Sequence, residues 1–152
     1  MNTSNTGSRL EALHPQFKHW EKCKDLIDQL IDLILNYRQS GHPGGSRSKV
    51  HIFLATLLSG AMRWDIRDPS RRFADRFILG ADHTIPLVYC TLALLNEALR
   101  IKLAQTGNPK YEILKAPERA LYWEHLLGLR RRGGGQGFHS RGRGRTYSRL
   151  HA

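Results

Sequence analysis

A glycine-rich loop with a histidine at its centre is the first feature of this chain that suits chemistry. Residues 40–45 read Ser-Gly-His-Pro-Gly-Gly, which places His42 between two segments of helical pattern. Glycines let a ligand approach the backbone closely, and the start of the following helix can face an anion. The plainer interpretation is a helix-ending turn that carries a surface histidine. Spacing alone favours the plainer interpretation.

His83 is the second candidate, because it follows a short apolar segment and precedes a helical one. Ligands of α/β proteins bind beyond the carboxyl ends of strands, so a histidine at this point suits a phosphate group. The alternative is a histidine that caps a helix or lies on the surface. Asp82 beside it adds a negative charge that disfavours an anion.

A mixed run of charged residues lies between the two histidines. It consists of five arginines and three aspartates: Arg63, Arg67, Arg71, Arg72 and Arg76 with Asp65, Asp68 and Asp75. Such a run can bind a phosphorylated substrate, but it more often forms exposed ion pairs of small energetic value. We expect ion pairs here.

The positive charge of the chain is concentrated at its C-terminal end. The 152 residues carry 24 Lys+Arg and 13 Asp+Glu, a net charge of +11, but residues 130–152 hold seven arginines and no acid. This segment contains Arg-Gly-Arg-Gly-Arg, which can bind RNA through charge and stacking. It has only two aromatic residues and no hydrophobic period. We therefore expect a domain over residues 1–134 and a disordered tail over 135–152, with RNA binding as the weaker alternative.

The composition also indicates the cellular compartment of the protein. The length suits one domain with a core of its own. No apolar stretch approaches the ~20 residues of a membrane span, and the polar N-terminal residues do not resemble a secretory signal. Cys23 and Cys90 lack the spacing of a metal site, which fits a reducing compartment. These features predict a cytoplasmic protein without a membrane contact.

The first predicted helix covers residues 10–39 and precedes the glycine-rich loop. Its apolar positions form one stripe with a wider flank: Leu26, Leu30, Leu33 and Tyr37, then Ile27, Ile31 and Ile34. Its aspartates, among them Asp28 and Asp32, are expected on the opposite, polar face. The glycines and Pro43 are predicted to end this helix.

Four further elements follow from the same patterns. A second helix is predicted from an N-cap at Ser46 or Ser48 to about residue 62, a third over 84–103 and a fourth from about 117 to 129. Residues 76–79 predict a short buried strand. Because a lone strand leaves its backbone groups unpaired, the body should belong to a larger α/β unit or need a second copy.

These residues together resemble the N-terminal part of transketolase. The similarity runs from Ser40 to Leu99 and is carried by several motifs in order: the Ser-Gly-His-Pro-Gly loop, a Met-Arg-Trp-Asp turn, an Arg-Phe-Ile-Leu segment and a histidine six residues before a tyrosine. It extends over about residues 23–134, and the Gly-Gly-Ser form of the loop looks bacterial. Pyruvate dehydrogenase E1-type and deoxyxylulose phosphate synthase-type enzymes are the related alternatives.

The resemblance implies an α/β thiamine diphosphate-binding fold, of which this portion would be mainly helical with about one short strand. It implies transfer of a two-carbon ketol unit between sugar phosphates, with thiamine diphosphate and Mg²⁺ as cofactors. His42 matches a histidine that contacts the substrate and takes part in catalysis. His83 matches one that contacts the cofactor diphosphate and the substrate.

The chain departs from the family in what it lacks. It has no Gly-Asp-Gly segment, which binds the metal in the family, and no pyrimidine-binding domain with its activating glutamate. We therefore expect an incomplete fragment, inactive alone, that self-associates or takes a complementary subunit. The arginine- and glycine-rich residues from about 135 are typical of an out-of-frame translation, and we expect that origin for the tail.

Overall fold

The computed structural model describes residue 7 and residues 10–39, 41–69 and 71–129. Over these residues the elements are α-helices and short 3-10 helices. The α-helices are α1 (Phe17–Arg38), α2 (Pro43–Arg47), α3 (Val50–Leu58), α4 (Ile85–Thr106) and α5 (Ala116–Arg119). The 3-10 helices are His14–Gln16, Asp82–Thr84, Pro109–Tyr111 and Trp123–Gly128. The predicted tail lies outside the described residues.

The core lies where α1 packs against α3 and α4. Its buried members share long aliphatic or aromatic side chains: Ile27, Ile31 and Ile34 from α1, Val50, Phe53, Leu54 and Leu57 from α3, and Ile85, Leu87, Val88 and Leu92 from α4. Leu121, Leu126 and Leu129 close one end of this core. A mainly helical architecture, as predicted, is therefore confirmed for the described residues.

Helix α1 buries the predicted isoleucine flank together with Leu30, but the rest of the predicted leucine stripe stays partly exposed. Leu26, Leu33 and Tyr37 are about half exposed, whereas Ile27 and Ile31 are fully buried. The helix has more apolar positions than one face can hold, so its packing partners select the buried ones. Asp28, predicted on the polar face, is buried and forms ion pairs with Lys24 and Arg47.

The predicted strand over residues 76–79 is wrong, because the part of the chain that the structure describes contains no β-strand. Phe77 instead packs its ring on Phe53, with the two ring centroids 4.8 Å apart, while Ile78 remains exposed. An extended segment needs a neighbouring strand for its backbone groups. Ile78 forms an isolated β-bridge, but the pairing does not extend along residues 76–79 into a strand.

The observed helix boundaries agree only in part with those predicted from the capping and helix-breaking residues. Helix α1 ends at Arg38, and Gln39 takes a left-handed conformation with φ of 49°. The predicted second helix corresponds to α3, which has Lys49 as its N-cap instead of Ser46 or Ser48 and ends at Leu58 instead of about residue 62, whereas α2 forms within the predicted loop. The predicted fourth helix is divided between α5 and the 3-10 helix Trp123–Gly128. No helix among the described residues is long and apolar enough to cross a membrane.

Candidate functional site

The glycine-rich loop and His83 lie side by side. A Cβ placed on Gly45 would lie 3.4 Å from Cγ2 of Thr84 and 3.5 Å from Cδ2 of His83. His42 begins α2 with an extended backbone, and both His42 and His83 have exposed side chains. The structure thus brings two segments together that are about 40 residues apart in the sequence. This contact is the candidate functional site.

Helix α1 holds the loop in place through Arg47. Its guanidinium Nη1 lies 3.2 Å from the carboxylate of Asp32, and its Nε lies 3.6 Å from that of Asp28. Ser46 is fully buried beneath the loop. Since Arg47 and Ser46 fix the last turn of α2, the position of Gly45 against His83 is set by the packing of α1.

The other side of the site rests on the start of α4. Thr84 is buried and donates two hydrogen bonds to the carbonyl of Ala81, from its backbone N–H at 3.0 Å and its hydroxyl at 2.7 Å. Ile85 and Pro86 follow it into the core. The hydrogen-bonded turn from Ala81 to Thr84 therefore leaves the His83 side chain exposed, just before the buried first residues of α4.

Lys49 is a member of the site that the sequence patterns did not single out. Its ammonium Nζ donates a 2.7 Å hydrogen bond to the carbonyl of Gly45, and its side chain is exposed. The signal that could have found it is its spacing, four residues after Gly45 and just after the short helix. With His42 and His83 it gives the site a set of nitrogen donors that suits an anion.

No metal centre accompanies these donors in the described part of the chain. No group of three or more His, Cys, Asp or Glu side chains there could hold a metal ion. Cys23 is half-buried and Cys90 is buried, both are free cysteines, and burial raises the pKa of each thiol. Neither thiol is therefore activated as a nucleophile or ligand.

Two arginines and two aspartates of the run that follows the loop pair with one another. Arg63 binds the carboxylate of Asp75 through Nη2 at 3.0 Å, and Arg67 binds that of Asp65 through Nε at 2.9 Å. These partners satisfy both guanidinium groups, which supports the interpretation of exposed ion pairs over a binding site for a phosphorylated substrate.

The Asp65–Arg67 pair should make stability depend on pH. Hydrogen bonds from Arg67 hold the pKa of the Asp65 carboxyl below its usual value. A carboxyl with a lowered pKa stabilises the fold above its unfolded pKa of about 3.9, and this contribution is lost as the pH falls through the folded pKa. We expect a double-mutant cycle of Asp65→Asn and Arg67→Gln to give a coupling of about 0.2–1 kcal/mol at pH 7.

The same cycle at pH 2–3 is expected to give a smaller coupling, because protonation of Asp65 removes the ion pair. Urea unfolding of the four proteins at both pH values measures it. A coupling that stays constant between the two pH values would contradict the proposed origin.

Comparison with known proteins identified no protein that is similar to this chain. No known protein family matches the chain, and no curated protein or solved structure is significantly similar to it. A functional assignment therefore depends on the residues and the geometry described above.

Proposed function

We propose that the chain is a transketolase-like N-terminal portion that contributes His42 and His83 to the thiamine diphosphate-dependent transfer of a two-carbon ketol unit between sugar phosphates. The observation that supports this function is the contact between Gly45 and His83. Two motifs that the resemblance joins in one site are neighbours across the α2–α4 contact. The proposed location is the cytoplasm.

The donor set of the site fits a diphosphate. His42 and His83 are exposed imidazoles on adjacent segments, and Lys49 adds an ammonium group beside the loop. Nitrogen donors of this kind form charge-assisted hydrogen bonds with phosphate oxygens. When bound, thiamine diphosphate supplies the nucleophilic carbon that carries the ketol unit. In this proposal His83 holds the diphosphate, and His42 orients the substrate hydroxyl groups and moves a proton.

The described residues do not fit Mg²⁺ in the same way, since they contain no cluster of ligands for a metal ion. The proposal therefore assigns the metal and the pyrimidine ring to chain segments other than these. On this proposal the 152 residues bind the diphosphate weakly and do not catalyse alone. A complementary subunit that carries those segments would complete the site.

A titration of the full chain with thiamine diphosphate tests this function. We expect amide signals in two-dimensional ¹H–¹⁵N NMR spectra to shift around residues 41–49 and 81–85. His83→Ala, which leaves no side-chain donor, should weaken binding by roughly tenfold, the order expected for losing one hydrogen bond to a charged group. No ketol transfer from a sugar phosphate is expected in the same sample.

His51→Ala is the matched control. His51 is also an exposed histidine, but it lies on α3 and bonds to the carboxylate of Glu21 at 3.0 Å. The control should bind thiamine diphosphate like the unaltered chain. Equal loss of binding in the two variants, or signal shifts that avoid both segments, would contradict the proposed site.

A further inference from the structure

An apolar groove of about 440 Å³ lies apart from the two histidines, between the end of α3 and the second half of α4. This volume is within the range of about 300–1,000 Å³ of small-molecule sites. Its walls are mostly apolar or aromatic: Leu57, Leu58, Trp64, Leu95, Leu99 and Tyr111. Such walls with a few polar groups at the rim are typical of ligand sites.

The groove lies between residues at the end of α3 and apolar residues of α4. Helix α3 ends at Leu58, whereas the apolar side of α4 goes on through Leu95 and Leu99, which are half-buried. The indole N–H of Trp64 donates to the carbonyl of Leu57 at 3.3 Å. Since this hydrogen bond satisfies the polar atom of the ring, a ligand beside Trp64 needs to offer only apolar surface.

The charges at the rim decide what kind of ligand fits. The Arg67 guanidinium is neutralised by Asp65 and donates a further hydrogen bond from Nη1 to the carbonyl of Lys110 at 2.7 Å. The Lys102 ammonium has no hydrogen-bond or ion-pair partner in the described part of the chain. The rim thus carries one uncompensated positive charge above an apolar floor.

We propose that this groove binds a small anionic amphiphile, a molecule with an apolar body and one carboxylate or sulfonate. The body would lie on Leu95, Leu99 and the ring of Trp64, and the anionic group would reach Lys102. An uncharged or cationic molecule of the same shape loses the second contact. This site is independent of the function proposed for His42 and His83.

Decanoate and decanol are the matched probes, since they share one chain length and differ in charge. We expect decanoate, added below its micelle concentration to the full chain, to shift the amide signals of residues 57–66 and 95–102. Its affinity should exceed that of decanol by about two- to fivefold, the usual effect of one exposed ion pair. Lys102→Gln should remove this preference, and Lys22→Gln, on an exposed position of α1, should keep it.

A second pair of variants tests the groove itself. Ala98 lines it and is exposed, so Ala98→Phe should fill it without disturbing the core and weaken both probes more than tenfold. Ala104→Phe, at an exposed position of the same helix outside the groove, should bind both probes normally. Equal affinity for the two probes in the unaltered chain, or unchanged binding in Ala98→Phe, would overturn the proposal. Concentration-dependent dimerisation through the same residues, without probe binding, would overturn it as well.

Discussion

Replacing Ile31 with alanine is expected to lower the free energy of unfolding by about 2–5 kcal/mol, the largest stability effect that we predict for this chain. Ile31 is fully buried at the centre of α1, in the core cluster that α3 and α4 complete. Removing three carbon atoms there costs their transfer free energy and leaves a cavity that the neighbouring helices fill only in part.

Leu33→Ala is the matched control on the same helix. Leu33 is 57% exposed, so its truncation is expected to change stability by less than about 1 kcal/mol. Urea unfolding of the two variants and the unaltered chain measures both effects, provided that the slope with urea concentration stays constant. Equal losses in the two variants would contradict the burial of Ile31 and the exposure of Leu33, and a larger loss in Leu33→Ala would show that α1 buries its leucine stripe instead.

This pair of variants also tests which face of α1 is buried, a property that the sequence alone does not predict. The pattern of α1 contains eight apolar positions between residues 26 and 37, spread over most of the helix circumference. Such a pattern predicts a helix securely, but it does not predict which arc faces the core. The choice is made by α3 and α4, which are distant in sequence.

The helix ends show how much of the structure can be predicted from the residues next to each end. Helix α1 ends before the glycine-rich loop, as predicted, but its C-cap is Gln39, and Pro43, Gly44 and Gly45 belong to α2 instead of ending α1. Gly107 ends α4 with φ of 60°, a conformation that glycine adopts without strain. The sequence pattern does not predict helix α2 within the glycine-rich loop. Its five residues, Pro-Gly-Gly-Ser-Arg, contain no apolar period that would indicate a helix.

The predicted strand failed for a related reason. Residues 76–79 have the composition of a buried strand, but a strand exists only through hydrogen bonds to another segment. That partner is not encoded in the four residues themselves. In the structure Phe77 finds an aromatic neighbour on α3 instead.

At the candidate site, too, the sequence predicts the local motifs but not the contacts between segments that are distant in sequence. The loop and the residue types were visible in the sequence, and the resemblance to transketolase suggested that His42 and His83 act together. The contacts that position these segments are not visible in the motifs themselves. Arg47 forms ion pairs with α1, and the buried Thr84 anchors the turn that carries His83. Lys49 was missed because a single lysine near a helix start has no distinctive pattern.

Gly41 is the position where the loop should be most sensitive to substitution. Its φ of 107° lies in a region that residues with a side chain rarely adopt. Gly41→Ala is therefore expected to lower the free energy of unfolding by about 1–3 kcal/mol, or to move the loop to a conformation that relieves the strain. Because His42 follows directly, either outcome changes the start of α2.

Gly44→Ala is the control within the same loop motif. Gly44 lies in the helical conformation of α2, and a Cβ placed on it would meet no atom within 4 Å. Alanine there should stabilise the chain by about 0.4–1 kcal/mol, because it restricts the unfolded state without strain in the folded one. Thermal and urea unfolding of both variants measure this difference in sign. A neutral Gly41→Ala would contradict the strained backbone conformation of Gly41, because it would show that the loop does not keep this positive φ in solution.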